Sequence, residues 1–105
     1  MSLDHIALNV SEIEWYWSFF ESVFGMTIAK QKTDNGCRKI WFDEGIQLIE
    51  TKTDCNNNGK FFDHIAIRTD DKDTIYRRLN NLNEVKCIKS DNWFCVKDKL
   101  IIEIV

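Results

Sequence analysis

An α+β fold assembled from two copies of a strand-helix-strands unit is what this sequence predicts, and three observations carry the expectation. Asp4-His5-Ile6-Ala7-Leu8 returns as Asp63-His64-Ile65-Ala66-Ile67, with four identities and one conservative change at an offset of 59 residues. Each copy leads into a helical pattern and then into short apolar runs, which end in strand-like segments at Ile46 to Glu50 and Leu100 to Val105. There the offset is 56, from Gln47 to Glu103, and three residues of loop difference cost a duplicated unit little. A chain of 105 residues, 44% hydrophobic and 30% charged, has room for one compact globular domain and none for two independent cores. The expected organisation is a single domain, 1–105, made of modules at about 3–52 and 61–105.

Taken in order, the opening strand alternates Ile6, Leu8 and Val10 against His5, Ala7 and Asn9. Ser11 with Glu14 three residues later reads as a capping box, and Ile13, Tyr16, Trp17, Phe20, Val23 and Phe24 form a helical stripe that Gly25 stops. Trp15 and Phe19 fall outside the stripe, so a second helix face needs a cover from a neighbouring module or another subunit. Thr53 to Lys60, with Asn56-Asn57-Asn58-Gly59, reads as the linker. The second helix starts near Asp70 to Asp73, carries Ile75, Tyr76, Leu79 and Leu82, and places acids early and Arg77 and Arg78 late, as the helix dipole favours. The last hairpin turns through Val96-Lys97-Asp98-Lys99 without proline, which the chain lacks altogether.

Fourteen basic and seventeen acidic residues give a net charge of −3 with no basic block, which argues against nucleic acid or an anionic membrane as partner. A small molecule or another protein chain remains. No apolar run spans a bilayer and the N-terminus lacks a secretory pattern, so cytoplasmic residence is the expectation. Cys37, Cys55, Cys87 and Cys95 show no zinc-knuckle or thioredoxin spacing and are expected to be reduced, packing thiols.

Strand parity then collects the polar residues. His64, Ala66 and Arg68 share one face and Ile65 and Ile67 the other, while Gln47 and Glu103 oppose their apolar neighbours in the terminal strands. His5 with His64 and Gln47 with Glu103 therefore occupy equivalent positions in pairs. Two imidazoles, a carboxylate and an amide oxygen suit a divalent transition metal such as Zn, Ni, Mn or Fe(II). Glu50 competes with Gln47 for the first-module position but has the opposite parity. A duplicated scaffold with a vestigial or metal-free site stays open as the alternative.

These residues resemble the vicinal oxygen chelate superfamily, which includes glyoxalase I, bleomycin-resistance proteins and extradiol dioxygenases. The resemblance rests on Asp4 to Leu8, on Phe19-Phe20-Glu21-Ser22-Val23-Phe24-Gly25-Met26, on Asp63 to Ile67 and on Ile102-Glu103-Ile104. It implies two tandem βαβββ modules whose curved mixed sheets form a cavity, often completed across a homodimer. Carried over position by position, it implies His5, Gln47, His64 and Glu103 as metal ligands.

What the resemblance implies about reaction is a metal-dependent lyase or isomerase for a small substrate with vicinal oxygens, with Glu103 moving the proton. Arg68, by parity on the same face as His64, is a candidate for an anionic substrate group. The alternative is a metal-free protein that sequesters an aromatic drug or metabolite, with Trp41 and Trp93, in corresponding middle strands, stacking on it. A homodimer with the site near or across its interface is expected in either case.

Overall fold

The computed structural model describes residues 1–52 and 61–105; the predicted linker, Cys55 included, lies outside the described residues. The elements are β1 (Ser2–Val10), α1 (Ile13–Phe24), β2 (Ile28–Asp34), β3 (Cys37–Phe42), β4 (Ile46–Glu50), β5 (Phe62–Arg68), α2 (Lys72–Asn80), β6 (Val85–Cys87), β7 (Trp93–Val96) and β8 (Leu100–Ile104). This is strand, helix and three strands, twice over. The chain divides into two compact units, His5–Asp63 and Met1–Asp4 with His64–Val105.

In the first of these units the strand order is β2-β3-β4-β1, with β1 parallel to β4 and the other neighbours antiparallel. Val10, Ile13, Ile40, Phe42 and Leu48 form its core, and Leu8, Tyr16, Trp17, Phe20, Met26, Ile28 and Ile46 pack against them. Leu48 is fully buried. Truncating such a side chain to alanine costs about 2–5 kcal/mol, so this cluster is where α1 gains its place on the sheet. Asn35 and Gly36, both at positive φ, turn β2 into β3.

The two ends of α1 close in different ways. No capping box forms, because the N-cap is Glu12, one residue later than expected, and its carbonyl accepts from the amides of Trp15 and Tyr16 at 3.1 and 3.2 Å. Glu14 reaches Arg38 instead, at 3.2 Å. At the other end Gly25 adopts φ 68°, and the amides of Gly25 and Met26 satisfy the carbonyls of Glu21 and Phe20. The stripe holds only to Phe20: Val23 and Phe24 are exposed, because Met26 and Ile28, beyond the left-handed turn, take the place against the core that the last helical turn was expected to fill. Trp15 is exposed as well and stacks on Phe19 with centroids 5.3 Å apart.

The second unit orders its strands β5-β8-β7-β6, again with one parallel pair, β5 with β8. Ala66, Phe94 and Ile104 are its buried apolar residues, and Tyr76 of α2 meets Phe94 at 5.8 Å. Asp71 caps α2 by accepting from the Thr74 amide at 3.2 Å and the Thr74 hydroxyl at 2.6 Å. Those two bonds hold its carboxyl below the usual aspartate range. Leu82 lies beyond the helix and is exposed, since α2 closes at Asn81. Lys97 and Asp98 turn the last hairpin with both residues at positive φ, and the Lys99 amide meets the Val96 carbonyl at 3.0 Å. Two left-handed residues match the turn to the twist of the flanking strands without a proline. Arg68 pairs with Asp4 within this unit.

The cysteines depart from expectation at one position. Cys37 is buried and disulfide-bonded, whereas Cys87 and Cys95 are free. Among the described residues no helix is long and apolar enough to cross a membrane.

Candidate metal centre

Strand alternation and register together build one row of side chains in each half. In residues 64–105, β5 turns His64 and Ala66 to the same face, Ala66 pairs with Glu103 on β8, and Glu103 pairs in turn with Trp93 on β7. Ala66, fully buried, adds only a methyl group at the β5 end of that row. His64 is buried as well, and its Nε2 stands 3.6 Å from Oε1 of Glu103. The Trp93 indole meets the imidazole edge-on, with centroids 4.6 Å apart and planes at 71°. Packing of this kind fixes the ring plane and leaves a nitrogen directed at the carboxylate.

The other half repeats the row with one change. His5 and Ala7 share a face of β1, Ala7 pairs with Gln47 on β4, Gln47 with Trp41 on β3, and Trp41 with Lys30 on β2. His5 and Gln47 are both buried. Gln47 Oε1 has no hydrogen-bond partner among the described residues. An orphaned amide oxygen costs about 1–3 kcal/mol, so a native structure that keeps one has a use for it, such as an ion. Asn9, at the far end of the same face, donates through Nδ2 to Asp63 at 3.0 Å.

Glu50 is buried too, but on the other face, where the sequence parity put it. Its Oε1 accepts from the Arg38 amide at 3.0 Å, its Oε2 pairs with Arg38 at 3.3 Å, and Lys52 approaches at 3.5 Å. Burial alone pushes this carboxyl up, yet the hydrogen bonds and charge of Arg38, with Lys52, outweigh it and hold the group below the usual glutamate range. The same contacts raise the already high value of Arg38. That carboxylate is committed to its own half of the fold.

Of the residues singled out in the sequence, His64, Glu103 and Trp93 come together in one half, and His5, Gln47 and Trp41 lie on one face of the other. Arg68 shares the His64 face but is exposed and paired with Asp4. Two lysines were missed. Lys89 lies over Trp93 at 4.5 Å and Lys30 over Trp41 at 4.7 Å. Their signal was available, because they are separated by the same 59 positions as His5 and His64.

An α+β protein with twinned βαβββ units and a histidine opening each is the class that fold and site define. A sequence match to the Glyoxalase/Bleomycin resistance protein/Dioxygenase superfamily covers residues 2–87, and the chain belongs to that family. Among solved structures it is similar to hypothetical protein BH1468 from Bacillus halodurans, with a TM-score of 0.76, 17% identity, and 98% of this chain and 91% of that one covered. It is also similar to a Streptomyces coelicolor methylmalonyl-CoA epimerase variant in complex with 2-nitronate-propionyl-CoA, with a TM-score of 0.73, 20% identity and coverage of 99% and 92%. A superfamily member from Vibrio splendidus gives a TM-score of 0.64 at 18% identity, with coverage of 98% and 97%. At these identities the likeness is one of fold. No curated protein matches the sequence.

Proposed function

We propose that this protein is a divalent-metal-dependent lyase or isomerase for a small substrate with vicinal oxygens, with His5, Gln47, His64 and Glu103 as the metal ligands. The observation that carries the reading is the buried His64 imidazole 3.6 Å from the Glu103 carboxylate, at the position whose counterpart in the other half holds His5 and Gln47. The orphaned Gln47 Oε1 supports it, as a donor atom without an acceptor role elsewhere. Imidazole, carboxylate and amide oxygen are borderline to hard donors that fit Zn, Ni, Mn or Fe(II). A cation held there supplies Lewis-acid polarisation of paired substrate oxygens.

The chain's own residues do the remainder. Glu103 accepts a proton from the carbon beside the polarised carbonyl and returns it to the neighbouring atom or to the opposite face. His64, wedged edge-on by Trp93, keeps its ring plane through that transfer. Gln47 offers an amide where Glu103 offers a carboxylate, so a divalent cation held by this ligand set would keep a net positive charge to favour an anionic intermediate. The methylmalonyl-CoA epimerases among the similar structures lend support to isomerase chemistry on this fold. A metal-free aromatic-ligand binder is the second reading, favoured by the equivalent placement of Trp41 and Trp93 beside Gln47 and Glu103.

A second copy of the chain covers the exposed Trp15, Val23 and Phe24 of α1 in this proposal, giving a homodimer with the site near or across its interface. Cytoplasmic residence belongs to the same proposal.

Thermal unfolding of chelator-treated protein, alone and with each of the four metals, tests the metal reading. A ligand bound only by the native state adds about 2.7 kcal/mol at a hundredfold excess over Kd. The expected result is a metal-dependent rise in Tm that His64→Ala abolishes. A scan unmoved by every metal, with Trp fluorescence quenched equally by an aromatic ligand in wild type and His64→Ala, overturns it for the metal-free binder.

A further inference from the structure

Lys89 is held on the indole that flanks the candidate ligands. Its Nζ lies 4.5 Å from the Trp93 ring centroid, the His64 ring lies 4.6 Å from the same centroid, and Glu103 is the cross-strand partner of Trp93. The turn that presents the lysine is pinned at several points. The Ile88 amide donates to the Trp93 carbonyl at 3.0 Å, the Trp93 amide to the Ser90 carbonyl at 3.0 Å, and Asn92 Nδ2 to the Ile104 carbonyl at 3.3 Å. A long, freely rotating side chain is thereby given a preferred place beside the site.

Other basic residues nearby are neutralised. Arg68 pairs with Asp4 and Lys86 approaches Asp98 at 3.6 Å, whereas Lys89 makes no ion pair among the described residues. Lys30, over Trp41, makes none there either. An exposed cation–π contact is a weak restraint, so it positions an ammonium without preventing it from turning to an incoming anion. Glu103 on the same face would repel a negatively charged substrate, and an ammonium held on the neighbouring indole offsets that repulsion.

We infer that Lys89, braced on Trp93, recognises an anionic tail of the substrate, a carboxylate or a phosphate, set apart from the vicinal oxygens. The inference deepens the metal-site reading and rests on it for the second point of attachment. It gives Lys89 the role for which the sequence suggested Arg68.

The test uses three probes with oxygens on adjacent carbons: 2-oxoglutarate with a carboxylate tail, 3-phosphoglycerate with a phosphate tail, and 2-oxobutyrate with neither. Each is titrated into zinc-loaded protein by Trp fluorescence, for wild type, Lys89→Gln, Lys89→Arg and Lys86→Gln as the control. At least one tailed probe is expected to bind tenfold or more tightly than 2-oxobutyrate in wild type and Lys86→Gln. That preference falls to within twofold in Lys89→Gln and returns in Lys89→Arg; which tail is preferred tells carboxylate from phosphate. A wild-type preference below twofold, binding of no probe, or a preference that survives Lys89→Gln overturns the inference. A zinc-induced Tm shift measured on the same samples separates the two failures: a shift without tail preference sinks the Lys89 role alone, and a Lys89-dependent preference without a shift sinks the metal reading alone.

Discussion

Glu50→Ala separates a structural carboxylate from a ligand carboxylate, and its cost follows from the contacts of the wild-type group. The Glu50 side chain is only 6% exposed and accepts the Arg38 amide at 3.0 Å. Losing a charged acceptor for that amide costs about 1.5–3 kcal/mol. The Arg38 side chain is 33% exposed, so it rehydrates and keeps Glu14 at 3.2 Å, and its lost pairing with Glu50 adds only about 0.5–1 kcal/mol. The sum is about 2–4 kcal/mol, against about 1–2 kcal/mol for Glu50→Gln, which retains an oxygen for the amide. Urea denaturation followed by Trp fluorescence reads this as a fall in midpoint of about 1–2 M at unchanged slope.

Acid removes the same contribution from wild type. The folded-state value of Glu50 is depressed, so its stabilisation is complete above the ordinary glutamate range and is lost as pH falls through the depressed value. The gap between wild type and Glu50→Ala therefore closes below about pH 4. Metal affinity stays unchanged in the variant, because the carboxylate faces away from Gln47. A destabilisation under 0.5 kcal/mol, or a lost metal response in Glu50→Ala, refutes this assignment.

Two further outcomes are expected. Gly25→Ala places a side chain at φ 68°, with no neighbour within 4 Å of the new methyl group, so the cost is backbone strain of about 1–2 kcal/mol, read as a lower denaturation midpoint with Gly25→Asn falling between. Trp15→Glu combined with Phe24→Glu charges the exposed face of α1, and sedimentation at micromolar concentration should shift from dimer to monomer while helix content by circular dichroism is kept; a wild type already monomeric there removes the dimer.

Period and repeat made most of the fold legible. The 59-residue echo of His5 in His64 and the parity of Gln47 and Glu103 placed the strands and the face each residue occupies, because alternation in a strand leaves no freedom once one residue is assigned. Helix ends were less legible. Ser11 and Glu14 satisfy a capping pattern that Glu12 displaces, since Arg38, 24 positions away, competes for Glu14, and no local pattern reveals a partner at that distance. Val23 and Phe24 fit the stripe of α1 but lose their seat to Met26 and Ile28 after the chain turns at Gly25. The lysines over Trp41 and Trp93 share the 59-residue echo of the histidines, but lysine is not a metal-ligand type and is ordinarily solvated, so the echo alone gave them no role.

The paired rows Ala7–Gln47–Trp41 and Ala66–Glu103–Trp93 differ in their middle residue by an amide in place of a carboxylate. Codons for Gln and Glu lie one base apart, and the two side chains have nearly the same volume. A duplicated scaffold of this kind stands a single nucleotide away from adding or removing a full charge at either row, with the strands, their register and the flanking indoles left as they are. In such a chain the charge of one face can change while its shape stays as it is.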